Sequence, residues 1–556
     1  MLLLGIVLAI VSAAICMQIM GQFGTSPNTS LIGAVLVMVV ARVPLSVAKK
    51  FRNLERQNYV ISIASAAGFA AANCGFVAIA IVFILGRGDL IFPMAVGALI
   101  GSMISIFIMG RLFDSKIFPA RGAWPMGQAT ASAIEAGDAG GKKGLELLTG
   151  LVVGAVASFF GIPAAGVGIA FIANMGSMAA LGVGMILRGH SVRLFNGFDI
   201  GESNIAQGIM IGAGVIALVQ IVFSMARGNK ETVQASVGAT DPGNPLQASV
   251  EATDPGNPLQ SQLHKNGRPR RSPLRDINTN QSGNTDASQS DSTVSDSQAK
   301  ATLAGSGVLF TAGAIIIAVI SGIFGDMGLG QAILWIAYAG VSSVVIVILV
   351  GTAAMHSGWA PGFAVVTICL TLGLFLGFPP IPLAMLVGYV GSVGLPLTDT
   401  GIGLKAGWLI RGMGKDKAHE EHGRKQQVII KQIGAVIGIA MAVTFGMMLA
   451  HGDVIPPMSI FYAQTVAETV NPALIRELAL WAIPGAAVQA IFGNKSVGLM
   501  LATGLLINNP LFGIVLLAAI ALRLIIGTKY MEIRGPGLIA GDGLFGFGAN
   551  VWGMFF

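Results

Sequence analysis

Long apolar runs recur along the chain and restrict the folds open to it. Several reach the roughly 20 residues that a helix needs to cross a bilayer, among them Leu2 to Met20, Val60 to Leu85, Leu303 to Phe324, Ala332 to Val350 and Val428 to Ala450. Only 11% of the 556 residues are charged. Because a segment in hydrocarbon must satisfy its own backbone hydrogen bonds, the sequence predicts an all-α, polytopic membrane protein.

One polar segment, residues 227–302, interrupts this pattern. It contains no aromatic residue and is rich in Ser, Asn, Gln, Asp, Pro and Gly, a composition typical of a disordered linker. Equal numbers of acidic and basic residues in it argue against a nucleic-acid partner. The linker separates two membrane halves of similar size, residues 1–226 and 303–556. At about 25 residues per span and turn, we expect about 14 to 16 helices and half-helices in total.

The short basic segments predict the orientation. Lys and Arg are in excess around residues 42–56, 111–121 and 405–431, and such loops face the cytoplasm in membrane proteins. The loop at residues 21–30 carries no charge and fits the opposite side. We therefore expect a cytoplasmic N-terminus.

Carboxylates interrupt the apolar runs at four places, and the first is RGAWPMGQATASAIEAGDAGGKKG, from Arg121 to Gly144. Pro125 and Gly127 can break a helix there, and Glu135 and Asp138 lie on one helical face. Broken helices with ionisable side chains are typical of transport sites. Together with Gln128, these carboxylates are candidates for a substrate or coupling-ion pathway. The alternative is a charged interfacial loop.

The other three segments contain further pathway candidates. Asp199 and Glu202 lie in FNGFDIGESNIAQG, Asp399 follows Pro396 in GSVGLPLTDTGIG, and Asp542 lies among glycines in GLIAGDGLFGFG. An ionisable group in a spanning segment normally faces a cavity, a partner or a pathway. The three cysteines are odd in number and lie in apolar segments, so neither a disulfide framework nor a thiolate metal site is predicted. We expect no metal site and no cofactor.

At these residues the sequence resembles the oligopeptide transporter (OPT) superfamily, which includes the yellow-stripe-like branch. Four stretches carry the resemblance: Glu55 to Gly68, Trp124 to Gly154, Gly423 to Gly438 and Gly535 to Gly546. The NPG signature of the eukaryotic peptide branch is missing; the nearest stretch is INNPLFG. The linker also departs from the family pattern.

The resemblance implies a secondary active transporter rather than an enzyme, in the inner membrane of a bacterium. Its expected partners are the lipid bilayer, a coupling proton or sodium ion, and a substrate that is a small peptide, a peptide-like compound or a metal chelate. Two alternatives belong to other classes. One is an intramembrane enzyme that uses paired carboxylates, such as an aspartyl protease, and the other is a passive channel.

Overall fold

The computed structural model describes residues 2–24, 33, 53–124, 126–131, 134, 142–227, 292–357, 360, 362–467, 472–492, 497–528, 530–531 and 534–555. Within these ranges the secondary structure is helical and contains no β-strand. The all-α prediction is confirmed.

The helices before the polar segment are α1 (Leu2–Phe23), α2 (Leu54–Phe69), α3 (Val77–Ile84), α4 (Ile91–Leu112), α5 (Lys142–Phe159), α6 (Ala164–Ile172), α7 (Met175–Leu194) and α8 (Ile205–Arg227). The helices after it are α9 (Asp296–Ser321), α10 (Leu329–Ser357), α11 (Gly362–Phe375), α12 (Pro380–Ile410), α13 (Lys417–Met441), α14 (Met447–His451), α15 (Pro457–Ala467), α16 (Pro472–Phe492), α17 (Val497–Leu506), α18 (Pro510–Ile526) and α19 (Arg534–Phe555).

Seven helical stretches in the described residues are long and apolar enough to cross a membrane: Leu3–Gln22, Leu54–Ile84, Gly88–Leu112, Asp296–Ser321, Leu329–Met355, Pro380–Ile410 and Lys417–His451. The apolar runs named from the sequence lie in these stretches, apart from one to three residues at the ends of three runs. Shorter apolar helices include α6, which spans 9 residues. It ends where Asn174 caps α7 by accepting a hydrogen bond from the Ser177 backbone N–H at 3.2 Å. Such interrupted helices are typical of transporters.

The helices pack into two bundles, and each bundle takes helices from both sides of the polar segment. In the first bundle, α2 packs on α1 and α13, and α12 packs on α4 and α10. In the second, α8 packs along α16, α5 along α19, and α7 on α17 and α18. The two parts of the sequence on either side of the linker therefore do not correspond to the two bundles.

Two helix pairs that join the two halves, α8 with α16 and α5 with α19, run parallel and approach closely at glycines. Along α8 and α16, Gly208 lies against Trp481 and Gly212 lies against Ala482. A Cβ atom at Gly212 would lie 1.9 Å from the Ala482 carbonyl oxygen, so only glycine permits this distance. Small residues allow such close backbone approach in membrane interfaces, where van der Waals packing holds helices together.

Two π-helical segments face each other in the first bundle. Ala70–Phe76 joins α2 to α3, and Ala442–Gly446 joins α13 to α14. A Cβ atom at Gly75 would lie 2.4 Å from the Ala442 Cβ. π-helical segments are rare and are frequent at functional sites. This contact also sets the register that brings the polar residues of α2 and α13 together.

The predicted basic segments meet at one end of the molecule, which we call the basic end (residues 53–56, 111–121, 292–296 and 411–424). Lys116 pairs with Asp296 there. Arg424 donates hydrogen bonds to the Phe113 carbonyl at 2.9 Å and to Thr293 Oγ1 at 3.0 Å. α1, α2 and α13 all run from this end toward the opposite one, as their contacts at Gly5, Gly21 and Gly438 show.

The polar segment is partly structured at its C-terminal edge. α9 begins at Asp296, inside the predicted linker of residues 227–302, because Ser295 and Gln298 form a capping box there. In a capping box, each side chain satisfies a backbone N–H of the first turn. α8 includes Arg227. Residues 228–291, which contain the rest of the predicted linker, lie outside the described residues.

Candidate functional site

A buried ion pair lies inside the first bundle, between α12 and α13. Lys431 Nζ donates to Asp399 Oδ2 at 2.5 Å, and their side chains are 0% and 2% exposed. Ser65 of α2 lies between them, donating to Asp399 Oδ2 at 3.3 Å and accepting from Lys431 Nζ at 3.2 Å. Gly403 makes room for the lysine, since a Cβ there would lie 2.6 Å from Lys431 Cε.

A second buried ion pair lies within the basic end. Arg411 binds Glu420 with two hydrogen bonds of 2.7 and 3.1 Å. Gln427 accepts from Arg411 at 3.3 Å and donates to Ser62 Oγ at 2.9 Å. The Ser62 carbonyl in turn accepts from Ser65 Oγ at 3.4 Å, which connects this pair to the first one. We call this set the polar chain: Glu420, Arg411, Gln427, Ser62, Lys431, Asp399 and Ser65.

Charge neutrality explains how apolar helices hold the polar chain. Each cation of the polar chain has a carboxylate partner, and the attraction between the two charges offsets their loss of hydration. Removing one partner would leave the other charge buried and uncompensated, which is strongly destabilising. The stability of the polar chain therefore depends on the charge state of both pairs. Protonation of one carboxylate would leave its partner cation without a counter-charge.

Four cations that the sequence assigned to a basic loop are buried instead: Lys405, Arg411, Arg424 and Lys431. Lys405 donates to the carbonyls of Ala120 and Gly122 at 2.8 and 3.1 Å. The loop prediction is wrong for these residues because α12 includes Lys405 and ends immediately before Arg411, and α13 includes Arg424 and Lys431. The helical spacing of Gln427, Lys431 and Gly434 on one face of α13 was the signal in the sequence that could have shown this.

Asp542, a predicted pathway residue, lies against the short helix α6 in the second bundle. Its Oδ2 accepts a hydrogen bond from the Ala165 backbone N–H at 2.7 Å. At the other end of α6, Arg523 donates to the carbonyls of Ala170 and Ala173 at 2.8 and 2.7 Å. A carboxylate at the N-terminus and a guanidinium at the C-terminus both match the helix dipole. The two charges hold α6 between α18 and α19.

Asp199 and Gln128, two further predicted residues, are not part of the polar chain. Asp199 pairs with Arg188 and accepts from the Gly201 backbone N–H at 2.8 Å. It caps the short 3-10 helix Ile200–Glu202, and the side chain of Glu202 lies outside the described residues. Gln128 is exposed and donates to the Ala123 carbonyl at 2.6 Å.

Glu135 and Asp138 lie outside the described residues, so their place in the pathway stays a prediction. The structure does show where the neighbouring residues lie. Residues 126–131 are helical, and a Cβ atom at Gly127 would lie 2.6 Å from Lys405 Cβ. The start of this segment therefore packs directly on α12, in the same bundle as the polar chain.

A polar cavity of about 430 Å³ lies at the end opposite the basic end. The end of α1 and the segment around α15 form one wall, and α7, α8 and the residues after α17 form the other. Ligand sites are common between domains. Arg188, the partner of Asp199, lines this cavity.

Apolar spanning helices, interrupted helices and buried charge pairs are features typical of membrane transport proteins. Residues 1–186 match the family model described as OPT oligopeptide transporter protein. The resemblance drawn from the sequence is confirmed over these residues. A comparison with curated proteins found no match.

Proposed function

We propose that the chain is a proton-coupled secondary transporter of short peptides, with its basic end in the cytoplasm and Asp399 as the proton-binding residue. The buried pair of Asp399 and Lys431 carries this proposal. It lies within two spanning helices, contacts a third, and is 2.5 Å long. Ionisable groups in such positions are typical of proton relays.

A proton on Asp399 would change the packing of the first bundle. The protonated carboxyl no longer offsets the charge of Lys431, so the attraction that joins α12 to α13 weakens. Ser65 hydrogen-bonds to both charged groups, which connects the change to α2. Proton binding and movement of these helices are thereby linked, as coupling requires.

The structure removes the support for a protease that pairs Asp399 with Asp542. Two catalytic carboxylates must share a proton at close range. Asp399 contacts α2 and α13, whereas Asp542 contacts α6. The two aspartates lie in different bundles and have different partners.

Gradient-driven uptake in proteoliposomes tests the proposal. The vesicles would contain wild-type protein, Asp399→Asn or Asp326→Asn, with a pooled mixture of di- and tripeptides outside and either a proton or a sodium gradient. Asp326 is the matched control because it is exposed in the short turn Ile323–Asp326. We expect saturable uptake that needs the proton gradient, is lost in Asp399→Asn and is unchanged in Asp326→Asn.

Three results would contradict parts of the proposal. Uptake that an ionophore leaves unchanged would remove the coupling, and uptake driven by sodium alone would replace the proton. Full proton-driven uptake by Asp399→Asn would remove Asp399 from the mechanism. Conductance without saturation would favour a passive channel.

A further inference from the structure

The polar cavity opposite the basic end is lined by carboxamides from both bundles. Gln22 and Gln464 come from the first wall, and Gln207, Asn508 and Asn509 come from the second. Its volume of about 430 Å³ lies in the range of small-molecule sites, roughly 300 to 1,000 Å³. Carboxamides carry a donor and an acceptor side by side, the same combination that a peptide group presents.

Gln207 has a buried acceptor without a partner. Its side chain is on α8, the residue is 4% exposed, and its Nε2 donates to Gln464 Oε1 at 2.8 Å. Gln207 Oε1 has no hydrogen-bond partner within the described residues. A buried carbonyl oxygen in that state is unfavourable unless a ligand supplies an N–H group. The hydrogen bond between the two glutamines leaves Gln207 Oε1 as an acceptor and Gln464 Nε2 as a donor for a ligand.

The charged groups of the cavity do not make it a strong anion site. Arg188 is already paired with Asp199, and the other charged residue that lines the cavity, Asp453, is acidic. Gly201 leaves room for the guanidinium, because a Cβ there would lie 1.9 Å from Arg188 Nη2. The residues that line the cavity include no His or Cys. This lining suits neutral amide groups better than a metal ion.

We propose that this cavity binds a short peptide through its backbone amide, with the peptide N–H donating to Gln207 Oε1 and the peptide carbonyl accepting from Gln464 Nε2. The inference rests on the proposed function and assigns a binding site to its peptide substrate. Because the two glutamines belong to α8 and α15, the bound peptide joins the two bundles. That position lets substrate binding influence their relative movement.

Equilibrium binding to the purified full-length protein tests this inference. The probes are glycylglycine, glycylsarcosine, in which a methyl group replaces the amide hydrogen, and ferric citrate as a metal chelate. Each would be titrated calorimetrically into wild type, Gln207→Leu, Gln207→Glu and Gln220→Leu. Gln220 is the matched control, because it is on the same helix and bonds to Gln489 of α16 away from the cavity.

Wild type should bind glycylglycine about tenfold more tightly than glycylsarcosine, as expected for one buried hydrogen bond. Gln207→Leu should lose about tenfold for glycylglycine and bind both probes equally. Gln207→Glu retains the acceptor and should keep the preference. Gln220→Leu should bind as wild type does.

Equal binding of the two dipeptides by wild type, unchanged binding in Gln207→Leu, or binding of ferric citrate alone would overturn the inference. These measurements need no ion gradient, so they are separate from the test of symport. If the protein shows the expected binding pattern but no gradient-driven uptake, only the proposed proton coupling is refuted. Uptake that depends on Asp399 but not on Gln207 would remove only this cavity.

Discussion

Replacing Asp399 with asparagine should leave Lys431 buried without its counter-ion. The two charges are 2.5 Å apart, and at an effective dielectric constant near 20 their attraction is roughly 7 kcal/mol. Most of this attraction offsets the hydration that both groups lose on burial. The asparagine variant loses the attraction and retains a buried ammonium, so we expect a loss of about 3–5 kcal/mol in the free energy of unfolding.

The measurement compares four proteins: wild type, Asp399→Asn, Lys431→Met and the double variant. Reversible unfolding in detergent with increasing dodecyl sulfate, followed by circular dichroism, gives the free energies. Both single variants should be destabilised. The double variant should regain most of the loss, because it contains neither charge.

Uptake in the same four proteins separates coupling from stability. If Asp399 binds the transported proton, the double variant folds stably but shows no proton-driven uptake. Single variants as stable as wild type would refute the energetic reasoning. Proton-driven uptake restored in the double variant would show that the pair is structural only.

Three further predictions concern other parts of the molecule. Arg523→Met should destabilise the protein by roughly 3 kcal/mol, because charged hydrogen bonds to the end of α6 are lost. Hydrogen exchange of the backbone amides should accelerate in residues 164–172 but not in residues 91–112. An equal change of the exchange rate in both segments would contradict the role of Arg523. Gly212→Ala should lower the free energy of unfolding by about 1–3 kcal/mol through overpacking against Ala482. Gly305→Ala should not, because no atom lies within 4 Å of the added Cβ; equal effects of the two substitutions would argue against the close contact of α8 and α16. Single cysteines can be placed at the exposed positions Ser297 and Asp453 in a protein whose own cysteines are replaced by alanine. A thiol reagent should label these two positions from opposite sides of the membrane. Labelling of both from one side would show that the helix directions are wrong.

The sequence identified two of the buried carboxylates but missed their partners. Asp399 and Asp542 were predicted because a charge inside an apolar run is costly, and both are buried. Lys431 and Arg411 were assigned to a loop because they lie among exposed charges in the sequence. Local composition does not show which face of a helix meets another helix.

The sequence by itself determined the helical character of the chain and the membrane spans, since the need to satisfy backbone hydrogen bonds in lipid acts on each segment separately. Tertiary structure alone decided the pairing of helices across the linker. It brought Asp399 next to Lys431, 32 residues away, and Asp542 next to Ala165, 377 residues away. These contacts depend on side-chain packing between distant helices. Hydrophobicity does not distinguish one apolar helix from another in lipid, so close packing at glycines such as Gly212 selects the partner helix.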